Sequence, residues 1–181
     1  MRKSLEGKLW IISGEIGAGK TILCGALIDA FRTLDWNVTG LRSPAIMQAG
    51  VKTGIAVENL RTGELRQLAV SDYKPDGLDD DPIHWTFDPD VMDWSNQVFL
   101  DAVPTDLFVV DELGPLEMKK EMGWQKALQA LDSRWYRQAI LIMRPKLLEL
   151  AKQRWPWGET VVIEHVDQVK VISEQLMLKW Q

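Results

Sequence analysis

Apolar positions along the chain follow two alternating rhythms. Short, largely apolar runs recur at 9–13, 107–111, 139–143 and 160–164, and 36–41 (Trp-Asn-Val-Thr-Gly-Leu) reads as a further strand. Runs this short, lacking the alternation of a half-solvated strand, predict strands covered on both faces, as in a parallel sheet. Between them, apolar residues return every three or four positions. Ile22, Leu23, Ala26, Leu27, Ala30, Phe31 and Leu34 share one helical face within 21–34. Val91, Trp94 and Val98 do the same after Asp88-Pro89, which offers an N-cap and a proline at the first helical position. Trp124, Leu128, Leu131 and Trp135 predict another helix. Pro145 opens a short one through about Trp155, and Val169, Ile172, Leu176 and Trp180 mark the last.

One stretch breaks this rhythm. Segments 54–59 and 64–68 flank Arg61-Thr62-Gly63, the pattern of a β-hairpin inserted at about 50–70. The polar stretch 71–82 follows, with Asp72, Asp76, Asp79, Asp80 and Asp81, and reads as a solvated loop without calcium-loop spacing. The class expected is α/β, a mainly parallel sheet joined by right-handed crossovers and carrying an inserted hairpin. No repeat or Gly/Ser linker divides the chain, so 1–181 is expected to be a single domain.

Composition narrows the chemistry. A chain of 181 residues with 46% hydrophobic and 26% charged residues can bury a core without staples, which excludes wholesale disorder. The net charge of −5 argues against a broad nucleic-acid surface but leaves room for a local basic pocket. The single cysteine, Cys24, and two distant histidines, His84 and His165, exclude a disulfide framework and a Cys/His metal cluster. No apolar run approaches the ~18–20 residues of a membrane span, so a soluble, cytoplasmic protein is expected. The nine scattered tryptophans read as packing residues.

Gly14-Glu15-Ile16-Gly17-Ala18-Gly19-Lys20-Thr21 is the pattern G-x-x-x-x-G-K-[ST], placed between a predicted strand and a predicted helix. Chance gives this pattern in under about 1% of chains this long. Its glycines let backbone N–H groups turn onto phosphate oxygens, and the helix N-terminus through Ile22 adds donors and a favourable dipole. Lys20 would reach the β- and γ-phosphates, and the Thr21 hydroxyl would ligate Mg²⁺. A second motif ends the run 107–111 in Asp111-Glu112. Strand ends carry function in open α/β sheets, on the same edge as such a loop. Asp111 would hold Mg²⁺, directly or through water, and Glu112 could polarise a water toward the γ-phosphate. Taken alone, the acidic pair is also what a solvated strand end looks like.

Together these segments resemble the THEP-type, or cancer-related, nucleoside-triphosphatase family. Leu107-Phe-Val-Val-Asp-Glu-Leu-Gly-Pro-Leu-Glu-Met118 looks like its Walker B segment, and Thr39-Gly-Leu-Arg-Ser-Pro44 like the strand leading into its hairpin region. Lys52-Thr-Gly-Ile-Ala-Val57 with Leu60-Arg-Thr-Gly-Glu64 resembles the hairpin itself. The resemblance implies a RecA-like P-loop NTPase fold and Mg²⁺-dependent hydrolysis of ATP, GTP and other nucleoside triphosphates. It puts phosphate binding on residues 14–21, Mg²⁺ on Thr21 and Asp111, and the catalytic base on Glu112. It also implies strand order 5-1-4-3-2, numbering the five strands predicted outside the hairpin along the chain. Arg144 would then end the strand between the first and third, facing the γ-phosphate, though a surface arginine would look the same.

Two other functions share this scaffold. A nucleotide or small-molecule kinase would need an acceptor pocket and an Arg-rich lid, and no dense arginine lid is visible. A nucleotide-gated adaptor would hydrolyse slowly to time an interaction with a protein partner that the sequence does not identify. His84, His165 and the cluster Arg144, Lys146, Lys152 and Arg154 read as surface or loop packing residues.

Overall fold

In the computed structural model, residues 6–71 and 85–180 are described. Of the predicted loop 71–82, Ser71 ends a strand and 72–82 lie outside the described residues, as does His84. Strand β1 (Lys8–Ser13) leads through a glycine-rich loop into helix α1 (Lys20–Thr33). The chain returns as β2 (Val38–Arg42), then β3 (Ala45–Gln48), β4 (Val51–Asn59), β5 (Leu65–Ser71) and β6 (Trp85–Phe87). Helix α2 (Pro89–Leu100) precedes β7 (Thr105–Leu113), α3 (Pro115–Lys120), α4 (Gln125–Ser133) and β8 (Tyr136–Met143). A 3₁₀ turn at Pro145–Leu147, α5 (Leu148–Arg154), β9 (Glu159–Val162) and α6 (Val169–Trp180) complete the order.

The strands form one mixed sheet ordered β6-β5-β4-β2-β7-β8-β1-β9, with β3 paired to β4. Its parallel part, β9-β1-β8-β7-β2, follows the expected 5-1-4-3-2 order. The order differs beyond β2, where the expected one stops. There the inserted segment joins the main sheet: β4 pairs antiparallel with β2 through Leu41–Asn59 and Arg42–Glu58, and β5 and β6 continue outward. The physical reason is that β2 would otherwise present an unpaired edge. Val57 and Leu68 extend the buried apolar face over that edge.

Alternation along the strands explains why both sheet faces are covered. Leu9, Ile11, Phe108, Val110 and Leu141 point to one side, against Phe99, Trp124, Leu131 and Trp155. Trp10, Ile12, Val109, Ile140 and Ile142 point to the other, against Leu23, Leu27, Phe31 and Trp180. Trp180 anchors α6 by packing on Trp10 at 4.9 Å and Phe31 at 5.4 Å between ring centroids. The buried Trp10 indole donates to Gln138 Oε1 at 2.8 Å. Gly40 is the one residue of β2 with a left-handed φ, 101°. A Cβ there would lie 2.0 Å from the Val109 carbonyl oxygen, so only glycine lets β2 approach β7 this closely.

Local departures from the expected elements have visible causes. Helix α4 ends at Ser133 because Arg134 takes φ 54°, so Trp135 leaves the helical face and is exposed. Asp88 caps α2 as expected, accepting from the Asp90 and Val91 N–H groups. After β7, Gly114 is the N-cap of α3 and Pro115 its first residue.

Candidate active site

The site lies at the C-terminal edge of the parallel strands. The loop 14–19 leaves β1 and folds over the start of α1. Gly17 and Gly19 hold φ of 79° and 106°, and a Cβ on Gly14 would lie 2.2 Å from the Ile163 carbonyl oxygen. These values explain the glycines without reference to any ligand. Gly19 is the N-cap of α1 and no side chain caps that end. The first-turn N–H groups therefore face the loop opening as a set of anion donors. Ala18 N–H closes the loop internally onto the Glu15 carbonyl at 3.1 Å. The Lys20 ammonium lies across the loop, donating to the carbonyls of Gly14 at 2.7 Å and Glu15 at 2.8 Å. Glu15, Ile16, Thr21 and Ile22 are exposed around it.

Asp111 stands near the end of β7 and is 3% exposed. Its Oδ2 accepts from the Ser43 N–H at 3.2 Å, while the Ser43 hydroxyl donates to the Asp111 carbonyl. Burial pushes this carboxyl up from 3.8 to about 6; the Ser43 N–H opposes that, Glu112 adds to it, and Arg42 and Lys20 draw it down. Strand β8 lies between the two motifs, and its register, Met143 beside Ser13 and Ile142 beside Asp111, brings them to one sheet edge. Beneath them, burial pushes the Cys24 thiol well up, and the nearby Asp111 carboxylate adds to the effect.

Glu112 takes a different direction. The β7–β8 register skips between Asp111 and Leu113, so Glu112 bulges out of the ladder. There its Oε1 accepts from Arg144 Nε at 2.6 Å. Arg144 follows Met143, which pairs with Ser13 on one side and Leu113 on the other. The arginine thus emerges between the start of the glycine loop and the acidic pair. The structure therefore gathers the loop, Lys20, Asp111, Glu112 and Arg144 at one edge. It does not gather the other singled-out side chains there: Lys152 pairs with Glu149, Arg154 pairs with Asp132, and His165 is exposed beyond β9.

Among the described residues, no group of three or more His, Cys, Asp or Glu is placed to hold a metal. A full protein cage is not what Mg²⁺ needs, since it is held by one or two carboxylates with phosphates and waters. The Asp111 carboxylate and Thr21 hydroxyl are the hard oxygen donors such an ion takes. Asp111 also has no ion-pair partner among the described residues, so a cation would offset the cost of its burial. The donor set fits Mg²⁺.

Sequence reasoning passed over Ser43, Arg42 and Glu117. Ser43 and Arg42 could have been found, because the expected order puts strand 2 beside strand 3 and its exit beside Asp111. Arg42 instead forms a fork onto Glu58 Oε2, Nε at 3.0 Å and Nη2 at 2.6 Å. Glu117 is buried and accepts from the N–H groups of Gly114 at 2.9 Å and Trp124 at 3.0 Å, bracing the turn after Glu112.

The model of a family described as NTPase matches residues 10–154. A nucleoside-triphosphatase THEP1 of Caldivirga maquilingensis is 24% identical over 165 residues, covering 91% of this chain and 91% of that protein. One of Korarchaeum cryptofilum is 36% identical over 74 residues, covering 41% of this chain and 36% of that protein. In that match the chain spans about a third of its relative's length. Among solved structures, a human cancer-related nucleoside triphosphatase superposes with a TM-score of 0.69 at 19% identity, over 97% of this chain and 98% of that one.

Proposed function

We infer that this chain, which belongs to the NTPase family, is a cytoplasmic hydrolase that converts nucleoside triphosphates, ATP and GTP among them, to the diphosphate and inorganic phosphate. The observation that supports the mechanism is the strand register that brings the exit of β1, where the glycine loop begins, to the same sheet edge as Asp111 and Glu112. Residues 14–22 cradle the phosphate chain through N–H groups of the loop and of the uncapped α1 terminus. Lys20 leaves the Gly14 and Glu15 carbonyls and transfers its ammonium to the β- and γ-phosphate oxygens. Thr21 and Asp111 would hold Mg²⁺, which would supply charge neutralisation. Glu112 orients a water and takes its proton as that water attacks the γ-phosphorus in line. Arg144 offsets charge on the departing γ-phosphoryl group.

Helix α3 and the Glu117 brace keep the turn after Glu112 close to the sheet, which limits where the attacking water can sit. A simpler, kinase-like order would put β7 directly beside β1 and would revive the kinase reading. In the sheet β8 separates them, which supports the hydrolytic reading.

The test is phosphate release across ATP, GTP, CTP and UTP by the parent and Glu112→Gln, with Mg²⁺ and after chelation. Glu112→Gln keeps the size and removes the base, so hydrolysis should fall at the low end of roughly 10²–10⁴-fold while NTP still binds. Hydrolysis at the parent rate would place water activation elsewhere and end this mechanism.

A further inference from the structure

The ion pair between Arg144 and Glu112 has an odd position for a structural contact. It joins the residue proposed to activate water to the cation proposed to meet the γ-phosphate. We propose that Glu112 stands in for the γ-phosphate: arrival of a triphosphate exchanges the Arg144–Glu112 pair for an Arg144–phosphate pair. Arg144 then distinguishes triphosphate from diphosphate, and the carboxylate is released toward water only when there is a terminal bond to cleave. The proposal deepens, and rests on, the reading of this edge as a triphosphate site.

Three observations carry it. The first is place. The pairing of Met143 with Ser13 and with Leu113 puts Arg144 between the glycine loop and Glu112, within reach of both. The second is strength. The Arg144 side chain is 57% exposed and that of Glu112 30%, and the contact uses the Nε–H alone, one of five guanidinium donors. Pairs this exposed hold by a factor of only about 1.5 to 5, so a multiply charged phosphate displaces the carboxylate at small cost. Arg42 provides the contrast. Its fork onto Glu58 ties β2 to β4, and it is the more enclosed pair. The third is the company. Lys20, the other cation of the site, likewise rests on internal acceptors, the carbonyls of Gly14 and Glu15. Both cations are thus held in place by oxygens that phosphate oxygens can replace.

The exchange is tested by equilibrium binding without turnover. A β,γ-imido triphosphate and the matching diphosphate are titrated against the parent, Glu112→Gln, Arg144→Ala and the double variant, as a double-mutant cycle. Arg144→Ala should weaken the imido triphosphate about tenfold or more and leave the diphosphate unchanged. Glu112→Gln should tighten the imido triphosphate about 2- to 5-fold, again sparing the diphosphate, because no pair must be broken first. In the Arg144→Ala background that gain should shrink. An equal gain with and without Arg144 means simple repulsion by Glu112 and overturns the exchange. So does an Arg144→Ala loss that is the same for triphosphate and diphosphate. Failure of the hydrolytic reading shows elsewhere, as parent-rate phosphate release by Glu112→Gln, and does not alter these affinities.

Discussion

Asp111→Asn should make the empty protein more stable at neutral pH. The Asp111 carboxyl is held at about 6 in the fold against an ordinary 3.8, chiefly because its surroundings exclude water. The native state therefore binds this proton more tightly than the unfolded chain does. The stability tied to that proton is fully present below about pH 4 and is lost as pH rises through about 6. The two values differ by about two pH units, and each is worth about 1.4 kcal/mol, so ionised Asp111 costs the fold about 3 kcal/mol above pH 7. An amide carries no such charge, and its oxygen can still accept from the Ser43 N–H. The figure is an upper bound, because the new NH₂ must find an acceptor in a buried place. For a chain of this size, 3 kcal/mol corresponds to about 6–12 °C in Tm. The assay is thermal unfolding of parent and variant in chelator, without nucleotide, from pH 4 to 8. The curves should converge near pH 4 and separate above pH 6 in favour of the variant. Saturating NTP with Mg²⁺ should reverse the ranking, since the variant loses the ligand that stabilises the parent. A variant that melts lower at pH 7.5, or a difference that does not vary with pH, would refute the argument.

Other outcomes follow from single contacts. Lys20→Ala should abolish tight NTP binding, measured with a fluorescent analogue, while the circular-dichroism melt stays near that of the parent, because Lys20 contacts only loop carbonyls. Glu117→Ala leaves the Gly114 and Trp124 N–H groups without their acceptor, and should cost about 1–3 kcal/mol in denaturant unfolding and lower turnover by loosening the turn after Glu112. Gly40→Ala puts a methyl group against the Val109 carbonyl at a left-handed φ, and should cost at least about 1–3 kcal/mol or prevent folding; a parent-like melt would show that β2 and β7 can part without penalty.

The parallel half of the fold is legible because its central strands β1, β7 and β8 are buried on both faces and write their burial as apolar runs. Of the antiparallel half, only the β4–β5 hairpin is, through the turn at Arg61-Thr62-Gly63. β3 is exposed at Ala45, Met47 and Gln48, so burial leaves no pattern there to read, and β6 is only three residues long. The periodicity through Trp135 misleads for a local reason, since Arg134 turns the backbone one residue before that side chain would join the face. In the site, the glycine loop and Asp111-Glu112 are legible because phosphate chemistry restricts residue types at fixed spacing. Arg144 is legible only through strand order. Its pairing with Glu112 depends on the skipped register at residue 112, which no spacing in the sequence records. Glu117 has the same character, an ordinary acidic residue whose meaning comes from two backbone N–H groups that converge only after folding.

The chain has one cysteine, fully buried in the helix that follows the glycine loop, with a thiol that burial makes reluctant to ionise. Such a thiol reacts with an aromatic disulfide only in molecules whose α1 has come away from the sheet. Its labelling rate is therefore a clock for that opening, read at one residue beside the site without an added dye. Any nucleotide bound only to the closed form slows the clock by the factor 1 + [L]/Kd. Occupancy of the loop can then be followed for nucleotides that are never hydrolysed, in the unmodified protein.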